Sequence, residues 1–514
     1  MITENSFVRG WRCLECLLQI DGTEQKIYEE HQDHKIREDN LKGDQIIKFQ
    51  KLKEENYKTG IIFAYHPRIL DLIQKDLNIA HVGDDKNKIL SILLLASSKR
   101  RGHEQGIIIQ KQSSAGGSNL QNTCLAYFDD KVVLTRMTGA YIDRSGVDYA
   151  GKILAIGELS GFDSSSSSLR QKLSEGTSHL ATTDKDEKGR ITTNILTTEG
   201  RPTFITTTTS EEIHPELENR CWILSIDETA KQTKSVNRHQ FLKDTFEYQP
   251  WNPKPEIKAL FNSGILKDLK VVNPFGYTIA ENFPCDSVTA RRDSKRFSEL
   301  ITTITFIHQY QRIKMVIKDQ TYIITSYEDI QHALNYAEDA LKNTLNKLNE
   351  KDEAILAYMK SSLDTSFDRN KLCNALDISY GTMTRILKKL VDRSFLESFD
   401  EDRTWKYKLT SKAMIDGIAL ASKEEFEKSA LDYLAKNAGS FEKIILPPNY
   451  ENMKEVDKAI VDFLLSFDNL VTIENDPVSC LTSIPVTTLP TVQETGMNPV
   501  QVNESVTTKE ESEK

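Results

Sequence analysis

No stretch of this chain approaches the ~18 apolar residues that a membrane helix needs. The longest candidate, Ile89 to Ala96, predicts a turn or two of buried helix. The opening residues, MITENSFVRGWRC, lack a basic segment followed by an apolar one, so no secretory signal is expected. Cysteine is scarce. Seven in 514 residues, odd in number and scattered, exclude a disulfide framework. These absences predict a cytoplasmic protein with no membrane partner. An excess of basic charge is also lacking, since the net charge is -10. A nucleic-acid binder of this composition works through local basic patches, so composition alone does not decide for or against such a partner. No internal repeat is present.

What is there is ordinary globular composition, 38% apolar and 28% charged, in a chain long enough for two or three cored domains. Residues 1–58 are polar around one Cys/His cluster. Residues 59–345 open on helical periodicity (Ile69, Leu70, Leu72, Ile73). From about 104 to 230 short β-rich runs then alternate with helical stretches. Those runs, GIIIQ, KVVLT, KILAIG, TFITTTT and CWILSID, predict a parallel α/β sheet. A helical part follows at about 285–345, with Phe297, Leu300, Ile301, Ile304 and Ile307 on one face. Residues 346–412 have a compact pattern of their own, 413–474 look helical, and 475–514 have the composition of a disordered tail.

The strand Gly106–Gln110 runs into Lys111-Gln-Ser-Ser-Ala-Gly-Gly-Ser118 and then into an amphipathic helix. Strand, small-residue loop and helix present backbone N–H groups and a helix N-terminus to a phosphate. Against the phosphate-loop pattern G-x-x-x-x-G-K-[ST], Gly116 and Ser118 are in register, but Lys111 stands for the first glycine and Gly117 for the lysine. A plain Gly/Ser turn would read the same way. Downstream, Lys152-Ile-Leu-Ala-Ile-Gly-Glu158 is a strand ending at a carboxylate, with Gly157 where an Asp would hold magnesium. Thr207 ends a strand rich in hydroxyls, and Arg220 follows shortly after.

The stretches SSAGGSNL, LAIGELSG, LRQKLSEG, TTDKDEKGRITT, PTFITTTT, HPELENRCWILSIDET and RRDSKRFSELITTITFIHQYQR resemble the helicase-type ATPase of phage and plasmid primase-helicase proteins. These are AAA+-like P-loop modules, distantly similar to minichromosome-maintenance helicases, and the likeness spans roughly residues 65–335. It implies an α/β parallel-sheet ATPase core with helical flanks, ATP and Mg as cofactors, and a homo-oligomeric ring that moves single-stranded DNA in replication of a mobile element or its host. Carried over, Ser113, Ser114, Ala115, Gly116, Gly117, Ser118 and Asn119 form the nucleotide loop, with Ser118 the Mg ligand. Glu158 becomes the catalytic acid, Thr207 the sensor, Arg220 the arginine finger, and Arg291 or Arg292 the second sensor. The hairpin Asp184–Arg190 enters the channel with Lys185, Lys188 and Arg190, or is a solvated turn. Phosphoryl transfer depends on charge stabilisation, so Gly117 and Gly157 predict weak or absent hydrolysis. Lys111 folding back over the phosphates is the alternative. The further readings are a non-hydrolysing DNA-binding initiator or scaffold, and a transcription regulator.

Residues 351–361, 368–376 and 382–393 read as three helices, and 395–399 with 404–410 as a hairpin. Met383, Ile386, Leu387 and Leu390 face inward, while Thr382, Arg385, Lys388 and Lys389 face out. This is the winged-helix arrangement that enters a duplex groove; protein contact is the other use of it. At the N-terminus, Cys13-x2-Cys16 and His31-x2-His34 stand 14 residues apart, a separation that fits a Cys2His2 zinc pattern, although the H-x2-H spacing is one residue short. Two unrelated thiol and imidazole pairs are the alternative to a zinc site.

Overall fold

The computed structural model describes residues 7–13, 19–20, 36–112, 116–159, 166–185, 191–210, 213–246, 248, 250–284, 290–341, 350–362, 364–392, 395–401, 404–410 and 420–474. The chain has the expected α/β class, and the five short apolar runs are the five strands of its parallel sheet. The expected disordered tail, 475–514, lies outside the described residues.

Strands β1 (Phe7–Cys13), β2 (Gln19–Ile20) and β3 (Ile36–Lys42) form a small antiparallel sheet, and helix α1 (Gly43–Ala64) follows. Next come α2 (Ile69–Ala80) and α3 (Asp85–Ala96). Helix α3 is buried from Lys88 to Ala96, so it reads as a continuous apolar run and not as a stripe.

The central unit runs β4 (Gly106–Gln110), α4 (Gly117–Leu125), β5 (Lys131–Leu134), α5 (Gly139–Arg144) and β6 (Ile153–Ile156). It continues through α6 (Ser166–Glu175) into a hairpin, β7 (Ser178–Lys185) and β8 (Ile191–Thr198). Strand β9 (Thr203–Thr208), α7 (Pro215–Glu218) and β10 (Cys221–Ser225) complete it. The strand order is β10-β4-β9-β6-β5, and every pair is parallel. Side chains alternate between two cores. Ile107, Ile109, Ile153, Ala155, Ile205, Trp222 and Leu224 enter one, while Ile108, Leu154, Ile156, Phe204 and Ile223 enter the other. Burial on both faces explains why these strands are nearly unbroken apolar runs.

Beyond the sheet, α8 (Ala230–Leu242) buries none of its residues. Helices α9 (Pro255–Asn262) and α10 (Gly276–Asn282) flank β11 (Lys270–Val272), and α11 (Ala290–Ile307) follows. The face expected of α11, Phe297, Leu300, Ile301, Ile304 and Ile307, is fully buried. Strands β12 (Lys314–Ile317) and β13 (Gln320–Ile324) lead to α12 (Tyr327–Leu341).

A separate small core then forms from α13 (Glu350–Ser361), β14 (Phe367–Asp368), α14 (Arg369–Leu376), α15 (Tyr380–Asp392), β15 (Leu396–Glu401) and β16 (Thr404–Leu409). Its three strands are antiparallel in the order β14-β16-β15.

The segment 413–474, expected as helical, differs from that expectation. It contributes α16 (Lys423–Asn437), β17 (Lys443–Leu446), α17 (Glu455–Leu465) and β18 (Val471–Ile473). Strand β17 pairs antiparallel with β12 and completes a mixed sheet, β11-β13-β12-β17-β18. Phe426, Leu434, Ile444 and Ile460 join the same core as the first face of the parallel sheet. The chain therefore leaves that core at α12, builds the small domain, and returns.

Buried charge holds the return in place. Asp329 accepts from the Arg312 guanidinium at 2.7 and 3.0 Å, from Thr305 Oγ1 at 2.9 Å and from the Ser326 N–H at 3.1 Å. Burial opposes the charge on each partner, yet their attraction outweighs it, raising the pKa of Arg312 and lowering that of Asp329. Asp457 of α17 caps α12 by accepting from Ser326 Oγ at 2.7 Å and from the Tyr327 N–H at 2.8 Å. Arg312→Leu strands a buried carboxylate, so chemical denaturation should show a loss of about 3–5 kcal/mol, part of it recovered in the Arg312→Leu/Asp329→Leu pair. Because the pKa of Asp329 is depressed, the pair's contribution is present at neutral pH and is lost as acid protonates the carboxylate.

Candidate functional site

The polar chemistry of a sheet buried on both faces is confined to its strand ends. At the C-terminal end of β4, the Lys111 N–H continues the ladder to Thr208 O at 3.0 Å, and the Gln112 N–H meets Glu228 Oε1. Ser113, Ser114 and Ala115 lie outside the described residues. Gly116 re-enters at φ +93°, a left-handed conformation that favours glycine, and α4 starts at Gly117. Helix α4 is fixed beneath the strand ends by Gln121, whose side-chain amide donates to Ile156 O at 3.1 Å and Ile205 O at 3.4 Å. Ser118 and Asn119 thus stand in its first turn. Ser118 Oγ accepts from Lys111 Nζ at 3.2 Å. Asn119 meets the buried ring of His81 at 3.0 Å, and the other ring nitrogen of His81 is 3.1 Å from Asp84. His81 belongs to the α2–α3 connection, and nothing in the sequence pattern marked it.

Glu158 follows β6 directly. Thr207, on the adjacent β9, holds the backbone on both sides of it. Its Oγ1 donates to Gly157 O at 2.7 Å, and its carbonyl accepts from the Leu159 N–H at 2.9 Å. Thr207 therefore positions the Glu158 segment, with its hydroxyl proton engaged by the protein. At Gly157 a Cβ would stand 3.2 Å from Thr135 O, so a carboxylate there needs the neighbouring carbonyl to give way.

Arg220 does not join this group. It precedes β10, whose first residue pairs with Gly106, so a five-residue strand separates it from the Lys111 end, roughly 17 Å at ~3.3 Å per residue. Its guanidinium donates to Ser174 Oγ and Glu216 O. Burial, and then the neighbouring charge of Arg292, lowers its pKa. Arg291 and Arg292 are exposed on the first turn of α11. That turn is bound to the same edge, since Arg296 donates to Cys221 O and Asp293 and stacks over Trp222. Arg170 also acts on Arg220 and is paired with Glu216 at 2.9 Å. The structure thus gathers three arginines, 170, 220 and 292, at one sheet edge, with Ser118, Glu158 and Thr207 at the other. Arg170 was not marked by the sequence.

Of the expected channel residues, Lys188 and Arg190 lie outside the described residues, and Lys185 is the last residue of β7. Below the hairpin, the Lys172 ammonium is buried against Thr198 Oγ1 at 3.1 Å and is pushed down to about 8 by burial.

In the small domain, Arg385 and Lys388 are exposed on α15 and Thr382 is half-buried, its Oγ1 accepting from Ser379 Oγ at 2.9 Å. Lys389 is different: it is paired with the fully buried Asp352 of α13. On the hairpin, Lys408 meets Glu397 at 2.7 Å and Lys406 meets Glu401, which offsets much of its positive charge. Arg369 lies over the ring of Tyr380, 4.9 Å from its centroid, and donates to its hydroxyl at 2.7 Å. Tyr380 and Trp405 are more than half exposed.

Cys16, His31 and His34 lie outside the described residues, and only the backbone of Cys13 is described, in β1. No family model and no curated protein matches this chain.

The α15 residues accordingly separate into two kinds. Lys389→Met removes an ion-pair partner of a buried carboxylate, and the thermal midpoint should fall with a loss of about 1–3 kcal/mol. Arg385→Ala and Lys388→Ala should stay within about 0.5 kcal/mol of the wild type. Equal losses in all three would refute the distinction.

Proposed function

We propose that this chain is a nucleotide-binding, DNA-associated protein of the ring-helicase ATPase type, carrying a winged-helix DNA-binding domain. One observation carries the reading. The strand that leads into Lys111–Ser118 lies beside β9 with Thr207, and β9 lies beside β6 with Glu158, all parallel and all ending on one edge. A P-loop site of this type needs a phosphate loop, a polarising carboxylate and a polar residue between them at adjacent strand ends. The hairpin β7–β8 inserted before β9 suits the proposed entry into a DNA channel. The nucleotides are ATP with Mg, the latter held through Ser118.

Arg220 acts across a subunit boundary in this reading. It stands too far from Ser118 to serve its own loop, and the arginines around it offer an anion site to a neighbouring copy. Gly157 favours slow turnover, because the position where an Asp would hold magnesium carries no side chain. A DNA-bound scaffold that binds nucleotide without hydrolysing it is therefore the second reading.

ATP binding and turnover by the purified chain, with and without single-stranded DNA, separate these. Turnover lost by a factor of about 10²–10³ in both Glu158→Gln and Arg220→Ala supports the ATPase and eliminates the scaffold. Failure to bind nucleotide at all eliminates both. The winged helix has its own readout in duplex binding. Arg385→Ala and Lys388→Ala should each weaken duplex affinity and reduce its logarithmic salt slope by about 1. Unchanged affinity and slope would assign this domain to protein contacts.

A further inference from the structure

The loop departs from the phosphate-binding pattern twice, with a lysine where the first glycine belongs and a glycine where the lysine belongs. In the folded chain these departures meet. A Cβ at residue 117 would stand 2.8 Å from Lys111 Cδ, 3.4 Å from Lys111 Cγ and 3.1 Å from Ile109 Cγ2. The stem of Lys111 therefore occupies the space in which a side chain at 117 would begin. Gly117 has no positive φ, so its backbone does not call for glycine. A side chain there would have to displace the stem of Lys111 and press on Ile109 Cγ2. Having crossed Gly117, Lys111 places its ammonium 3.2 Å from Ser118 Oγ, the hydroxyl next to the missing lysine in the pattern. The base of the side chain is fixed as well, because the Lys111 N–H is bonded to Thr208 O at the end of the sheet.

We propose that Lys111 is the phosphate-gripping cation of this loop, and that Lys111 and Gly117 are one compensated exchange and not two separate losses. The proposal rests on the nucleotide-site reading above and names the residue that makes it work. A lysine grips phosphate as a compact point charge on a flexible stem. What matters is where the ammonium arrives, not which residue of the loop sends it. From 111 the stem runs over the start of α4 and delivers the charge to the first turn of the helix, where the backbone N–H groups also point. Ser118 Oγ accepts from it here, and the flexible stem lets the ammonium turn to the phosphates when Mg takes that oxygen.

Calorimetric titration of the full chain with a slowly hydrolysed ATP analogue, in the presence of Mg, and separately with adenosine tests this. The variants are Lys111→Ala, Lys111→Arg, and the exchange Lys111→Gly with Gly117→Lys. Wild type should bind the analogue, and Lys111→Ala should weaken it about ten- to a hundredfold, as when a charge-assisted hydrogen bond is lost. Adenosine, which has no phosphate, should be unaffected. Lys111→Arg keeps the charge and should retain most of the affinity, and the exchange variant should regain it. Wild-type affinity in Lys111→Ala, or an equal loss for adenosine and the analogue, overturns the role of Lys111 and leaves the nucleotide site standing. So does binding by the exchange variant where the wild type shows none. Absence of binding in both the wild type and the exchange variant overturns the nucleotide site, and this inference with it.

Discussion

The constraint on which the rest of the molecule depends is that four of the five strands of its parallel sheet, β10, β4, β9 and β6, are buried on both faces. Ile108 and Phe204 enter one core while Ile107, Ile109 and Ile205 enter the other, so the strand interiors have no room for a reacting group. Parallel strands all end on the same edge, and every connection between them crosses to the other edge and back. Two polar rims result. One receives the ends of β4, β6 and β9, with Lys111, Glu158 and Thr207; the other receives the start of β10, with Arg220. Gln121 and Thr207 exploit the carbonyls left over at the first rim, using them to fix the start of α4 and the Glu158 segment. The geometry of the candidate site thus follows from the packing.

The same reasoning explains why the small domain can be an excursion. A domain inserted between α12 and α16 separates two parts of one core along the chain, and loop-closure entropy opposes their reunion. What brings them back together is apolar burial by Phe426, Leu434 and Ile460, directed by the polar group of Arg312, Asp329, Ser326 and Asp457. Apolar contacts have little directionality, whereas a carboxylate accepting from the first N–H of α12 sets both position and angle. Asp352 and Lys389 do the corresponding work within the inserted domain, where α13 is joined to α15.

What was legible in the sequence was what burial writes into local pattern. All five parallel strands could be read as short β-rich apolar runs, four of them because they are buried on both faces. The buried face of α11 and the three helices and hairpin of the small domain could be read from their periods of 3.6 and 2. Contacts between segments distant in sequence could not. The run KIIL at Lys443–Leu446 is too short to distinguish a strand from a helical turn, and its partner β12 lies on the far side of the inserted domain. Lys389 sits on the outward side of a helical wheel together with Arg385, and only the three-dimensional position of Asp352 separates the two. Arg291 and Arg292 were expected beside the nucleotide loop. The place of Arg292 beside Arg220 depends on the packing of Arg296 against Cys221 and Trp222, which the sequence does not display.

The segment Lys111–Ser118 shows the same limit in its sharpest form. Read along the chain, Lys111 and Gly117 are two departures from a pattern, and the effects of two departures add. Read in space, they share one volume, and neighbours that share a volume are not additive. A side chain at 117 would need the stem of Lys111 to move aside, while removing Lys111 would leave Gly117 bare. The Thr207 clamp around Glu158 differs in kind, since a Cβ at Gly157 would meet the backbone carbonyl of Thr135 and not a flexible side chain. The two departures therefore carry different weight: a side chain at 117 would meet the stem of Lys111, which comes from six residues away, whereas one at 157 would meet a backbone carbonyl, Thr135 O.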